Sequence, residues 1–225
     1  MPRSSLSVYV SDGEAPKRRI LSVADDGYDT GPLFLQAADA IRNARGEFEL
    51  DLGIDAPDAD EESLPGTGFP KEFIACAADV TLRVNVVVRA VSTSDNEQPH
   101  CGAYFYIDSD EELDIRQIGS VAGTQPTRVA KKGEQGEYAV YKCNSWGILI
   151  NGDDPCPETP VAALMERIRQ PRMLGRYCRE KGLDSHIDVT CYGIPDKPVS
   201  FQFDSRFFRF CRDLDVAWVG IDLMI

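Results

Sequence analysis

Val80-Thr81-Leu82-Arg83-Val84-Asn85-Val86-Val87-Val88-Arg89-Ala90 decides the fold class. Val80, Leu82, Val84, Val86, Val88 and Ala90 alternate with mostly polar positions. A period of two with one polar face describes a strand buried on one side, the pattern of an antiparallel sheet covered on one face. Upstream, Phe48, Leu50, Leu52 and Ile54 alternate in the same way, and Leu6, Val8 and Val10 form a shorter run. Downstream, Cys101 to Ile107, the triplet Ile187, Val189 and Cys191, and Val219, Ile221, Leu223 and Ile225 repeat the pattern. The last run is expected to insert into the sheet.

Helical stretches lie between these strands. Pro32 to Ala44 places Phe34, Ala37, Ala38 and Ile41 on one face, and Gly46 ends it. Pro70 to Ala78 has proline where a first helical turn tolerates it. Asp108 or Ser109 is expected to cap a short helix through Ile118, and the helical region closes at Gly123. Short strands are expected at Thr127–Lys131 and Tyr138–Ile150. Val161 to Lys181 is helical, with Pro171 set to kink or break it and Gly182 to end it. Ser205 to Leu214 presents Phe207, Phe208, Phe210 and Cys211 for packing. Strands and helices mix without regular β-α-β alternation, so the class is α+β. Two small mixed units are expected, each a largely antiparallel sheet with helices packed on one face. They cover 1–91 and 100–225, joined by a linker over 92–99 that carries no large apolar residue. A third possibility is a purely structural protein whose halves pack as pseudo-repeats.

The chain has 225 residues, 43% of them hydrophobic, and a net charge of −13. Residues 1–98 carry 18 acidic against 9 basic residues, and residues 99–225 carry 19 against 15. Such a molecule repels nucleic acid and anionic membranes and attracts a basic protein. Arg206, Arg209 and Arg212 form a basic stripe, but the phenylalanines between them read as the buried face of the same helix, which opposes a nucleic-acid role. No apolar run is long enough for a transmembrane helix, and the first residues lack a signal-peptide core, so a cytoplasmic location is expected. Seven scattered cysteines without a C-x-x-C pair argue for reduced core thiols, and with only His100 and His186 beside them a structural zinc site is not expected. No cofactor is expected, because no Walker, dinucleotide or G-x-S-x-G motif occurs. His186 beside Asp188 is placed on one strand, both facing solvent.

A further segment runs Gly123-Thr124-Gln125-Pro126-Thr127-Arg128, with Lys132-Gly133 and Trp146-Gly147 following. Together with a first strand ending near Asp108, the long helix, the strand ending Cys191-Tyr192 and the aromatic helix before the last strand, it resembles the bacterial family catalogued as domain of unknown function 4279. The resemblance covers about Cys101 to Ile225 and leaves residues 1–98 unmatched. It implies a small α+β domain and no established catalysis. By analogy with small bacterial proteins carried beside toxins, it suggests an immunity protein.

The leading expectation is therefore a non-enzymatic bacterial protein-binding protein, in its sharpest form an immunity protein that neutralises a basic toxin. Its contacts would come from two acidic strips. One contains Asp55, Asp58, Asp60, Glu61 and Glu62, and the other Asp108, Asp110, Glu111, Glu112 and Asp114. Neither matches a calcium loop. The alternative is a small-molecule or anion-binding domain with hydrolytic potential, built on Arg128, Lys131, Lys132 and Trp146.

Overall fold

A computed structural model describes residues 4–12, 16–25, 29–56, 67–90, 100–136, 140–152, 156–192 and 199–224. In the first half these form β1 (Ser4–Ser11), β2 (Arg18–Asp25), α1 (Gly31–Arg42), β3 (Glu47–Ala56), β4 (Gly68–Pro70), α2 (Lys71–Ala78) and β5 (Leu82–Ala90). The second half contributes β6 (His100–Ser109), α3 (Ile115–Ala122), β7 (Arg128–Ala130), β8 (Asn144–Asn151), α4 (Glu158–Arg167) and α5 (Pro171–Lys181). It closes with β9 (Asp184–Tyr192), β10 (Val199–Asp204), α6 (Ser205–Asp213) and β11 (Trp218–Met224). The protein is α+β, with two mixed, largely antiparallel sheets of five and six strands. No helix among the described residues is long and apolar enough to cross a membrane.

The five-stranded sheet runs β10-β5-β3-β1-β2 and the six-stranded sheet β4-β11-β9-β6-β8-β7. One plan is used twice. In the first half β1 pairs antiparallel with β2 and β3, and β3 pairs parallel with β5. In the second half β6 pairs antiparallel with β8 and β9, and β9 pairs parallel with β11. Before its last helix, each half also sends a strand to the other half's sheet. β4 pairs with β11, and β10 pairs with β5. The segment expected as a linker lies outside the described residues, and the two sheets share strands across it.

Similar side chains make the exchange possible. Phe73, Ile74, Cys76 and Ala77 are buried on α2, and Phe207, Phe208, Phe210 and Cys211 occupy the same pattern on α6. Phe69 of β4 meets Phe203 of β10 edge-on, with centroids 5.4 Å apart, and meets Phe208 at 5.3 Å. Phe34 and Phe73 close the cluster, each within 5.7 Å of Phe69. Ser205 ties the halves by polar contact: its Oγ accepts from Leu82 N at 2.7 Å and donates to the Val80 carbonyl at 2.9 Å. Arg212 at the end of α6 pairs with Asp79 at the end of α2.

Several local expectations are corrected. β5 has antiparallel β10 on one side but parallel β3 on the other, so alternation identified the buried face and not the neighbour's direction. β6 runs through Ser109, and α3 is capped by Asp114, whose Oδ1 accepts from Gln117 N at 2.9 Å. Pro171 breaks the expected long helix into α4 and α5, taking the first position of α5. The strand expected from Tyr138 begins at Asn144, and the one from Thr127 spans only Arg128–Ala130. Thr127 secures this turn, its Oγ1 accepting from Leu149 N at 2.6 Å.

Candidate partner-binding face

The helices cover one face of the six-stranded sheet, burying Phe105, Ile107, Trp146, Ile148, Ile187 and Val189. The alternate residues therefore point to the other face. Register sets them in rows. One row runs Arg128, Gly147, Tyr106, His186 and Trp218 across β7, β8, β6, β9 and β11. The adjacent row runs Leu149, Tyr104, Asp188 and Gly220, and the next brings Thr190 beside Asp222.

Glycines let the large side chains lie down. A Cβ on Gly147 would stand 2.5 Å from the Tyr104 ring, and one on Gly220 would stand 2.7 Å from Asp188 Oδ1. The Trp218 indole lies over Gly68 of β4 in the same manner. Tyr104 and Tyr106 stack at 4.9 Å, and Tyr106 stacks on His186 at 5.2 Å. The Arg128 guanidinium stands 6.0 Å from the Tyr104 ring centre, a cation–π distance.

Beside these rings sit carboxyl groups in an unfavourable place. Burial pushes Asp188 from the usual carboxylate range up to about 6, and the nearby Asp222 and Asp108 charges add to the rise. A hydrogen bond from the Tyr106 phenol partly offsets it. Asp222 is raised by burial. The Tyr106 phenol is pushed well up by burial, by the Asp188 charge and by that hydrogen bond. Burial also raises Tyr104, against a hydrogen bond with Ser145. Among the described residues neither Asp188 nor Asp222 has an ion pair.

The duplicated plan supplies an internal control. The equivalent face of the five-stranded sheet also carries carboxylates, Glu49 and Asp51, but both are satisfied. Lys17 pairs with Glu49, and Asn85 Nδ2 donates to Asp51 Oδ1 at 2.7 Å and to Glu49 Oε1 at 3.2 Å. The Lys17 hydrogen bond leads in holding Glu49 below its usual range. Two faces with one architecture thus differ in that Glu49 has a cation beside it, whereas Asp188 and Asp222 have no ion pair among the described residues.

The residues expected from the sequence fare unevenly. Asp58, Asp60, Glu61 and Glu62 lie outside the described residues, as does the Asp55 side chain. Asp108 is half-buried at the end of β6 and borders the aromatic face. Lys132 Nζ neutralises Asp110 at 2.7 Å, Asp114 is committed to its helix cap, and Glu111 and Glu112 are exposed. Arg128, Lys131, Lys132 and Trp146 do not converge. Trp146 is fully buried against Phe105 on the helix-covered face, Arg128 stands on the opposite face, and Lys131 and Lys132 are exposed beyond β7.

His186 and Asp188 do share the outward side of β9, but both are half-buried, His186 by the Tyr106 ring and Asp188 among other carboxyls. Asp222, Tyr104 and Tyr106 were missed as site residues. The available signal was that the outward positions of three strands spell Tyr-Tyr-Asp, His-Asp-Thr and Trp-Gly-Asp. No cluster of metal-ligating side chains occurs among the described residues. Comparison with known proteins returns no matching family model, no matching curated protein and no matching solved structure.

Proposed function

We propose that this chain is a non-enzymatic protein-binding protein that receives arginine or lysine side chains of a basic partner on the outer face of its six-stranded sheet. The observation that carries the proposal is the pair Asp188 and Asp222, half-buried beside Tyr104, Tyr106 and Trp218 and without an ion pair among the described residues. A guanidinium satisfies such a site twice over, by charge-assisted hydrogen bonds to carboxylates and by stacking on aromatic faces. The net charge of −13 draws a basic partner in, and the half-buried pair fixes it. Of the described residues expected from the sequence, Asp108 and Arg128 adjoin this face. The sharper reading, an immunity protein covering a basic toxin in a bacterial cytoplasm, rests on the acidic charge and on the family resemblance.

The test is comparative capture from a bacterial lysate with wild-type bait and with Asp188→Asn/Asp222→Asn bait. A basic partner bound by the first should be lost by the second, since removing one side of a buried charge pair costs about 2–5 kcal/mol. Equal recovery on both baits contradicts the assignment.

A further inference from the structure

A second site, sharing no residue with the aromatic-carboxylate face, lies where α4 faces β10 and the start of α6. A cleft of about 490 Å³ opens there, within the range of small-ligand sites. Val161, Ala162, Met165 and Phe207 supply apolar lining, and Arg83 and Arg206 line the same cleft. A neighbouring cleft of about 400 Å³ shares Arg83, Asp204 and Arg206 with the first and adds Arg209.

Most of the charge around these clefts is already committed. Lys17 holds Glu49. Asp204 Oδ1 accepts from the backbone of Arg206 at 2.9 Å and of Phe207 at 3.2 Å, capping α6. Glu158 Oε1 accepts from Gln202 N at 2.6 Å. Glu49 and Asp204 are the register neighbours of Arg83 on either side; both carboxylates make their hydrogen bonds and ion pairs with other groups, while the Arg83 charge contributes a lesser pull on Glu49. Arg83, Arg206 and Arg209 make no ion pair with any described residue. Two of these arginines, Arg83 and Arg206, line the apolar cleft, and Arg209 lines its neighbour. Glu166 also lines the first cleft and Glu47 the second.

We infer that this cleft binds an anionic amphiphile: a carboxylate or phosphate monoester at Arg83 and Arg206, with its apolar body against Val161, Ala162 and Met165. Two guanidinium groups in one cleft suit an oxyanion because each presents a planar fork of donors. The apolar lining sets the ligand apart from inorganic phosphate, which would gain nothing from it. This site is independent of the aromatic-carboxylate face.

The test is calorimetric titration of the full chain with decanoate, decyl phosphate and uncharged decanol, repeated on Arg83→Gln/Arg206→Gln and on Ala162→Asp. At least one anionic probe should bind saturably, one molecule per chain. Decanol and the arginine double variant should each weaken binding roughly tenfold or more, the scale of a lost charge-assisted contact. Ala162→Asp should weaken it while leaving the melting temperature near wild type. Binding of decanoate alone assigns a carboxylate head, and of decyl phosphate alone a phosphate head. Absence of binding by both anions up to about 1 mM, equal binding of decanol, or unchanged binding in the double variant overturns the proposal.

Discussion

Asp188→Asn should make this protein more stable at neutral pH while removing its proposed activity. The carboxyl is raised from 3.8 to about 6, so ionised Asp188 is less comfortable in the fold than in the unfolded chain. That gap corresponds to about 3 kcal/mol at roughly 1.4 kcal/mol per pH unit. The sign follows from proton linkage. Between pH 4 and pH 6 the folded state holds more protons than the unfolded state, so wild-type stability falls as pH rises through this window and stays reduced above it. Asparagine is never charged, and its carbonyl can still accept from the Tyr106 phenol. The variant should therefore exceed wild type by up to about 3 kcal/mol at pH 7.5, with the advantage shrinking below about 1 kcal/mol at pH 4. Urea unfolding at the two pH values reads both quantities. A variant less stable than wild type at pH 7.5, or an advantage that does not change with pH, would refute the reasoning. A residue that costs stability in isolation is expected at a functional site.

The remaining predictions concern the shared core and the shape of the face. Phe69→Ala should cost about 3–5 kcal/mol, the usual range for a fully buried phenylalanine, and should loosen both sheets together, giving one unfolding transition by two probes. Fragments 1–91 and 92–225 expressed separately should fail to fold, each lacking the strand the other supplies, and should regain native circular dichroism when mixed. Gly147→Val should displace the Tyr104 ring at a cost of about 1–3 kcal/mol and weaken partner binding, measured by urea unfolding and calorimetry.

The buried faces of the strands were legible in the sequence because alternation reports which side chains meet the core. Among the described side chains, the apolar residues that alternation assigned to the core in β1, β3, β5, β6, β9 and β11 lie there. Pairing was not legible. β4 has three residues and leaves almost no periodic signal, and β2 mixes Arg18 and Arg19 with Ile20 and Leu21. Strand exchange depends on contacts between residues more than a hundred positions apart, such as Leu82 with Ser205. The duplication was hidden because the halves preserve burial rather than identity: Ile74 corresponds to Phe208, and Ala77 to Cys211.

The candidate face was hidden for a related reason. Charge runs such as Asp110 to Asp114 are conspicuous in one dimension, whereas Asp188 and Asp222 are single carboxylates on separate strands. Only register brings them together, and Gly220 leaves the space into which the Asp188 carboxyl settles. In the second acidic strip Lys132 neutralises Asp110 and a helix cap takes Asp114. Length of an acidic run therefore overstated what was available to a partner.

The most direct measurement is calorimetric titration of the chain with an arginine-rich peptide of roughly ten residues, long enough to present several guanidinium groups, at pH 7.5 and fixed moderate salt. Wild type should be compared with Asp188→Asn/Asp222→Asn and with Asp110→Asn/Glu111→Gln/Glu112→Gln, which removes more charge but leaves the aromatic face intact. The account predicts that the double variant loses binding and the triple variant keeps most of it. Loss in the triple variant with retention in the double variant would contradict the account and return the interaction to the exposed acidic strip.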